Sequence, residues 1–493
     1  ITSKMDRFNK WIKAAGLDKK SHQERGMRWV LERETAPTIG SKGGFVCDEM
    51  GLGKTILMLG AIVSNFKGKT LVVLPLALLE QWKSVIEKFY NHTPLVYHGY
   101  AAKNVDNELL ASPKTPIILT TYGMIAERKN PENYVSPLWD VEWDRLVCDE
   151  AHHMRNVKTG VYKGAMRLRA EIKWMVTGTP INNSAKDFYT LCNVGDQAKA
   201  FTDVKTVDDA RSIIRALVLK RTKASVGIKM PDLNVHRINV EFESKEEEMF
   251  ARNIHSLTSF TPITAENIDA VIRDLSMSED GLLSTLPVYM LMRQACVMPK
   301  LAADLLKRRA LQREELEMLA HIKVPKTSSK INAVVGKIVE NQNTNKKKLV
   351  FCQFREEIRT IQQKLEEQGF RVSIMDGSTP KKQRTSALAP GAESPEVLVV
   401  QIQTACEGLN LQHFSEVYFT TPHWNPAVED QAIARAHRIG QKDSVEVYHF
   451  ITMFSGVDDE SLDEYCANVQ DAKRDAMKMI EISESRNDND VPE

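Results

Sequence analysis

The sequence predicts an α/β protein of two doubly wound lobes, each a parallel sheet flanked by helices, with a helical region between them. Three observations lead there. Short apolar, β-branched runs alternate with amphipathic stretches through residues 44–180. The alternation lapses over residues 185–330, which are charged and helical in tone, as in ADLLKRRALQREELEML. It resumes at Lys346 and continues to Thr452. Unbroken runs of this kind read as strands buried on both faces of a parallel sheet, with the intervening helices covering them.

In chain order, the first lobe offers GFVC, TLVVLP, PIILTTY, RLVCDE and WMVTGTP as strands. TILMLGAIVSNF and LLEQWKSVIEKFY lie between them as helices. The second lobe offers KLVFCQF, VSIMDG, EVLVVQI, EVYFTTP and SVEVYHFI. The expected division is an N-terminal flank at 1–20, a first lobe at 21–184, an inter-lobe helical region at 185–330, a second lobe at 331–482 and an acidic tail at 483–493. The tail, ESRNDNDVPE from its second residue on, is too polar to bury a core and is expected to be disordered.

Composition narrows the function classes. A chain of 493 residues with 42% hydrophobic content can bury more than one core. No apolar run reaches membrane-spanning length, and the N-terminus resembles no secretory signal, so a membrane partner is not expected. Lys+Arg number 66 against 65 Asp+Glu, a net charge of +1. That argues against coating nucleic acid by bulk charge, while a local basic groove remains compatible with it. The seven cysteines include no CxxC pair, which argues against zinc ribbons, RING fingers and a disulfide framework, and fits a reducing compartment.

Three motifs carry chemistry. DEMGLGKT, residues 48–55, follows a strand and opens a helix, as a phosphate-binding loop requires. Gly51, Leu52 and Gly53 would bring backbone N–H groups to the phosphates of ATP. Lys54 would reach the β- and γ-phosphates, and Thr55 would help hold Mg²⁺. The strict pattern wants glycine where Asp48 stands. DEAHHMRN, residues 149–156, ends another strand; Asp149 is placed to hold Mg²⁺ and Glu150 to polarise the attacking water. The second lobe has no such loop, since Gly336-Lys337-Ile338 lacks the glycine-rich lead. It offers QAIARAHRIGQK instead, in which Gln431, Arg435 and Arg438 fall four and seven residues apart on one helical face and Gly440 sits where a helix commonly ends. Taken alone, that is also how a solvated basic face reads. With ATP in a cleft between the lobes, Arg435 and Arg438 would neutralise charge on the γ-phosphate as arginine fingers in cis.

The ordered series DEMGLGKT, TTYGMI, DEAH, TGTPINNS, VFCQF, MDGST, GLNLQ and WNPAVEDQAIARAHRIGQ resembles the Swi/Snf-like ATPases of helicase superfamily two. The likeness spans roughly residues 20–452. WNPAVEDQAI is most similar to the branch with lodestar-type transcription termination factors and post-replication-repair remodellers, and LKRTKASVGIKMPDL and LMRQACVMPKL look like the family's inter-lobe landmarks. The resemblance implies two RecA-like lobes and ATP-driven translocation along double-stranded DNA without strand separation. It also implies a monomeric motor, nucleosomes or RNA polymerase as partners of the DNA-bound state, and a nuclear or virus-encoded setting.

By position in those motifs, Gln23 matches the adenine-reading glutamine. Thr177, Gly178, Thr179 and Pro180, with His152, match lobe coupling. Pro75, Trp82, Thr120, Thr121, Gln403, Thr404, Asn410 and Trp424 fall in segments that track the DNA backbone; Trp82 and Trp424 read equally as packing residues. The sequence departs from the family pattern at Leu57, at Asn182 and at Ala405-Cys406-Glu407. None of these touches the hydrolytic set. Readings from other classes are a nucleotide-switched scaffold, a ring-forming ATPase acting on protein, and an RNA-directed helicase.

Overall fold

In a computed structural model, residues 1–100, 102, 105–128, 135–178, 185–255, 285–313, 323–388, 391, 394–405, 409–456 and 459–482 are described. They form two compact units, Ile1–Lys229 and Met230–Glu493. Each is a RecA-like lobe: a parallel sheet flanked by helices.

The first sheet comprises β1 (Gly43–Val46), β2 (Thr70–Leu74), β3 (Leu95–Tyr97), β4 (Ile117–Thr121), β5 (Glu142–Asp149), β6 (Arg169–Val176) and β7 (Val218–Leu219). They lie in the order β3-β4-β2-β5-β6-β1-β7. Every residue of β1, β2 and β4 is buried, as unbroken apolar runs require. The order sets β5, β6 and β1 side by side, pairing Asp149 with Val176 and Val46 with Val176. The carboxyl ends of these three strands therefore converge, the edge at which parallel sheets bind ligands.

The second sheet comprises β8 (Leu233–Glu241), β9 (Lys348–Cys352), β10 (Val372–Met375), β11 (Val397–Gln401), β12 (Glu416–Phe419) and β13 (Val445–Met453), in the order β10-β11-β9-β12-β13-β8.

Two segments of the expected division join the lobes. The N-terminal flank, residues 1–20, packs on the first. The Thr2–Ala14 helix buries Met5, Phe8, Trp11 and Ile12 in the first core, and Trp11 Nε1 donates to the Phe89 carbonyl at 2.7 Å. Residues 185–330, the expected protrusion and inter-lobe region, are divided between the two units at 229/230. β7 closes the first sheet beside β1, and β8 closes the second beside β13. β8 lacks an apolar run because it is an edge strand, with seven of its nine residues exposed. Among the described residues, no helix is long and apolar enough to cross a membrane.

Candidate active site

The phosphate loop leaves β1 and enters the Lys54–Ser64 helix. Gly53, at φ +86°, is the helix N-cap, and Gly51 stands at φ +93°. Both conformations disfavour a side chain. A Cβ on Gly53 would also come within 2.6 Å of Gln23 Nε2, so the bare backbone lets the adenine-reading candidate lie against the loop. Lys54 Nζ donates to the Asp48 carbonyl at 2.8 Å. A Cβ on Gly178, at the end of β6, would lie 3.9 Å from the same Nζ.

Asp149 closes β5 and is only 7% exposed. Its Oδ2 accepts from Trp82 Nε1 at 2.7 Å, its Oδ1 from the Glu150 N–H at 3.0 Å, and its carbonyl from the Tyr122 hydroxyl at 2.7 Å. Burial, then the charge of Glu150, push its carboxyl up to about 6; the Trp82 bond works against that rise. A buried carboxylate raised by desolvation and a like charge is one that a cation relieves. The hard oxygens of Asp149 and Thr55 suit Mg²⁺, so the residues fit the metal.

Glu150 sits at φ +52°. Its Oε2 lies 3.3 Å from His152 Nδ1, which is 3.5 Å from Thr177 Oγ1. The coupling candidates His152 and Thr177 thus link the ends of β5 and β6 within one lobe. His153 stacks between Tyr122 and His152, and burial, then His152, lower it to about 4. It is neutral near pH 7.

The candidates expected to track DNA differ in exposure. Trp82 is 1% exposed, and its N–H is committed to Asp149, so it orients the acidic site rather than facing DNA. Thr120 is fully buried and donates to the Tyr97 carbonyl at 2.9 Å, because it lies inside β4. Thr121 is buried 3.1 Å from His98 Nδ1, and Thr404 is buried as well. Pro75, at the end of β2, is half-buried. Gln403 and Asn410 are exposed. Trp424 packs edge-on to Tyr289 and Tyr465, with the Arg293 guanidinium 5.5 Å from its ring. Thr179, Pro180, Asn182, Cys406, Glu407 and the tail 483–493 lie outside the described residues.

The expected helical face is shorter than predicted. The Pro426–Ala436 helix carries Gln431 and Arg435 but ends before Arg438. Three contacts draw the chain out of the helix. His437 Nε2 donates to the Pro231 carbonyl at 2.7 Å, Gln441 Nε2 donates to the Ala436 carbonyl at 3.2 Å, and the Leu411 N–H reaches the Arg435 carbonyl at 3.1 Å. Gly440, at φ +102°, belongs to the turn that follows. Arg438 is half-buried in that turn, its Nη1 3.5 Å from Asn410 Oδ1.

The sequence reading missed the partners of the phosphate loop's acidic residues. Asp48 is 1% exposed and is gripped by both Arg221 Nε (3.0 Å) and Arg221 Nη2. Glu49 accepts from the Lys223 N–H and Nζ, each at 2.7 Å. The acidic residue at the glycine position of the strict loop is thus one half of a buried ion pair. Its only sequence signal was the basic LKRTK segment, 173 residues downstream.

The SNF2-related domain family matches residues 22–301, and the helicase conserved C-terminal domain family matches residues 329–440. A "probable global transactivator" of Orgyia pseudotsugata multicapsid polyhedrosis virus is 30% identical, over 92% of this chain and 89% of its own length. The DNA repair protein RAD5B of Arabidopsis thaliana is 24% identical over 83% of this chain; the chain spans 44% of that longer relative. The Sulfolobus solfataricus SWI2/SNF2 ATPase core in complex with dsDNA aligns at 23% identity over 88% of each chain, with a TM-score of 0.38.

Proposed function

Because the chain belongs to the SNF2-related family of helicase-like ATPases, we propose that it hydrolyses ATP to move along double-stranded DNA without separating the strands, remodelling or displacing protein–DNA complexes. The observation that carries this reading is the gathering of Lys54, Asp149 and Glu150 at the carboxyl edge of one parallel sheet. There Lys54 exchanges the Asp48 carbonyl for phosphate oxygens, and Gln23 faces the base. Glu150 orients the attacking water and takes its proton. Thr55 and Asp149 would hold Mg²⁺, which would supply positive charge to the phosphate oxygens. Arg435 and Arg438 of the second lobe supply the remaining positive charge to the γ-phosphate.

DNA as the track is supported by the names of relatives, among them a DNA repair protein and a chromodomain-helicase-DNA-binding protein. The exposed Gln403 and Asn410 are the polar groups proposed to meet its backbone. Nucleosomes or RNA polymerase would be the displaced cargo, in a nuclear or virus-encoded setting.

Steady-state ATP hydrolysis, measured alone and with duplex DNA, single-stranded DNA or RNA, tests the reading. Duplex DNA is expected to stimulate most. Because backbone contacts release counterions, the apparent DNA affinity should fall at least about tenfold between roughly 50 and 200 mM salt. Stronger stimulation by RNA would reassign the track. Nucleotide binding with no turnover under any condition would leave the scaffold reading in its place.

A further inference from the structure

We propose that Arg221 and Lys223 are positioning residues of the phosphate loop, and that the segment carrying them senses whether the loop holds nucleotide. The proposal rests on the ATPase reading above. It starts from a charge pattern: the loop's first two residues are both acidic, and the segment Leu219-Lys220-Arg221-Thr222-Lys223 is basic. In the fold that segment runs beside the loop. The Cys47 N–H donates to the Leu219 carbonyl at 2.7 Å and the Glu49 N–H to the Arg221 carbonyl at 2.9 Å, so backbone bonds carry the β1–β7 pairing on into the loop.

Side chains then lock the two together. The Arg221 fork closes on both oxygens of Asp48, and Lys223 closes on Glu49, its side chain only 6% exposed. The Lys223 stem also borders the loop's glycines, 3.6 Å from where a Cβ on Gly51 would stand.

Arg221 has a second reach. Its Nη1 donates to the carbonyl of His22, in the Ser21–Thr35 helix that presents Gln23. Gly26 of that helix lies flat against the guanidinium; a Cβ there would come within 2.8 Å of both terminal nitrogens. One arginine thus ties the phosphate side of the site to its adenine side.

The coupling runs through Asp48. Its carbonyl holds Lys54 Nζ, and its carboxylate holds Arg221. A phosphate entering the loop competes with that carbonyl for Lys54. The same residue must then settle again against Arg221, and the shift passes to residues 222–229, the last stretch before the second unit begins at Met230.

The test uses the whole chain. Binding of Mg²⁺–ADP and Mg²⁺–ATP would be titrated calorimetrically for wild type, Asp48→Asn, Arg221→Gln and the double variant, with KM and kcat for ATP alongside. The single variants are expected to weaken nucleotide binding at least about tenfold and to raise KM more than they lower kcat, since the pair positions the loop without touching the reacting atoms. The double variant, whose two amides can pair uncharged, should lose no more than the worse single. Folded single variants with wild-type affinity overturn the positioning role.

Hydrogen exchange of the wild type with and without ADP decides the matter even if the variants fail to fold. Protection is expected to change at 221–228 together with 47–54. A change confined to 47–54 overturns the proposal. If the wild type itself binds no nucleotide, the ATPase reading falls and takes this one with it. If the wild type binds and both variants match it, only the positioning role falls.

Discussion

Arg438→Ala is expected to leave ATP binding nearly intact and to lower turnover at least about 10³-fold, the scale on which a charge-neutralising arginine acts. The structure sharpens this expectation. Arg438 is not one of a row of helical side chains; it stands in a turn after the Pro426–Ala436 helix, where Gln441 and His437 fix the backbone and Asn410 lies in reach of its guanidinium. Ordering a half-buried cation in this way costs conformational entropy that a merely solvated residue would not spend. Arg438→Lys keeps the charge but loses the planar fork, and should fall between wild type and alanine. Single-turnover hydrolysis beside a nucleotide titration separates chemistry from binding. Wild-type turnover by the alanine variant would reduce Arg438 to a surface cation.

Trp82→Phe is the second variant from which a large effect is expected: about 10- to 100-fold lower activity at saturating ATP, chiefly through weaker Mg²⁺ binding, as when the partner of a metal-holding carboxylate is removed. Phenylalanine preserves most of the buried ring but removes the N–H that Asp149 Oδ2 accepts. The acid side of the pH profile should move with it. Asp149 must be ionised to hold Mg²⁺, and burial beside Glu150 places its carboxyl at about 6, so activity without excess metal should fall as pH drops through that value. The Trp82 bond stabilises the ionised form. Its loss raises the carboxyl further and carries the acid limb to higher pH, by about one pH unit for one hydrogen bond to a charged group. A Trp82→Phe enzyme with an unmoved acid limb and wild-type Mg²⁺ dependence would make Trp82 simple packing.

Local patterns in the sequence were enough to single out part of the candidate site. Asp149 and Glu150 were legible because they end a strand whose apolar run announces it, and Lys54 because a phosphate loop of contiguous residues opens its helix. Features set by distant partners were not legible. Asp48 read as a defect in a motif until Arg221 was found against it. The burial of Trp82 and Thr120 depends on which strands neighbour β2 and β4, which no single sequence states. The helix through Arg435 was predicted to reach Gly440 by turn chemistry alone, whereas contacts with the backbone of other segments, at Pro231 and Leu411, end it a turn earlier. β7 and β8 were lost in the region read as helical, one for its two-residue length and the other for its exposed edge.

That edge strand bears on how the chain is made. β8 pairs with β13 along nine residues, from Leu233 opposite Val445 to Met453 opposite Glu241, so partners some 212 positions apart must meet. Closing so long a loop is entropically unfavourable and slow, and a ribosome delivers β8 well before its partner exists. The first unit, whose strands all lie before residue 230, can complete itself during synthesis. The second must wait with an open row of amides. A nascent or truncated product ending before Val445 would therefore present β8 as an unsatisfied template for other chains.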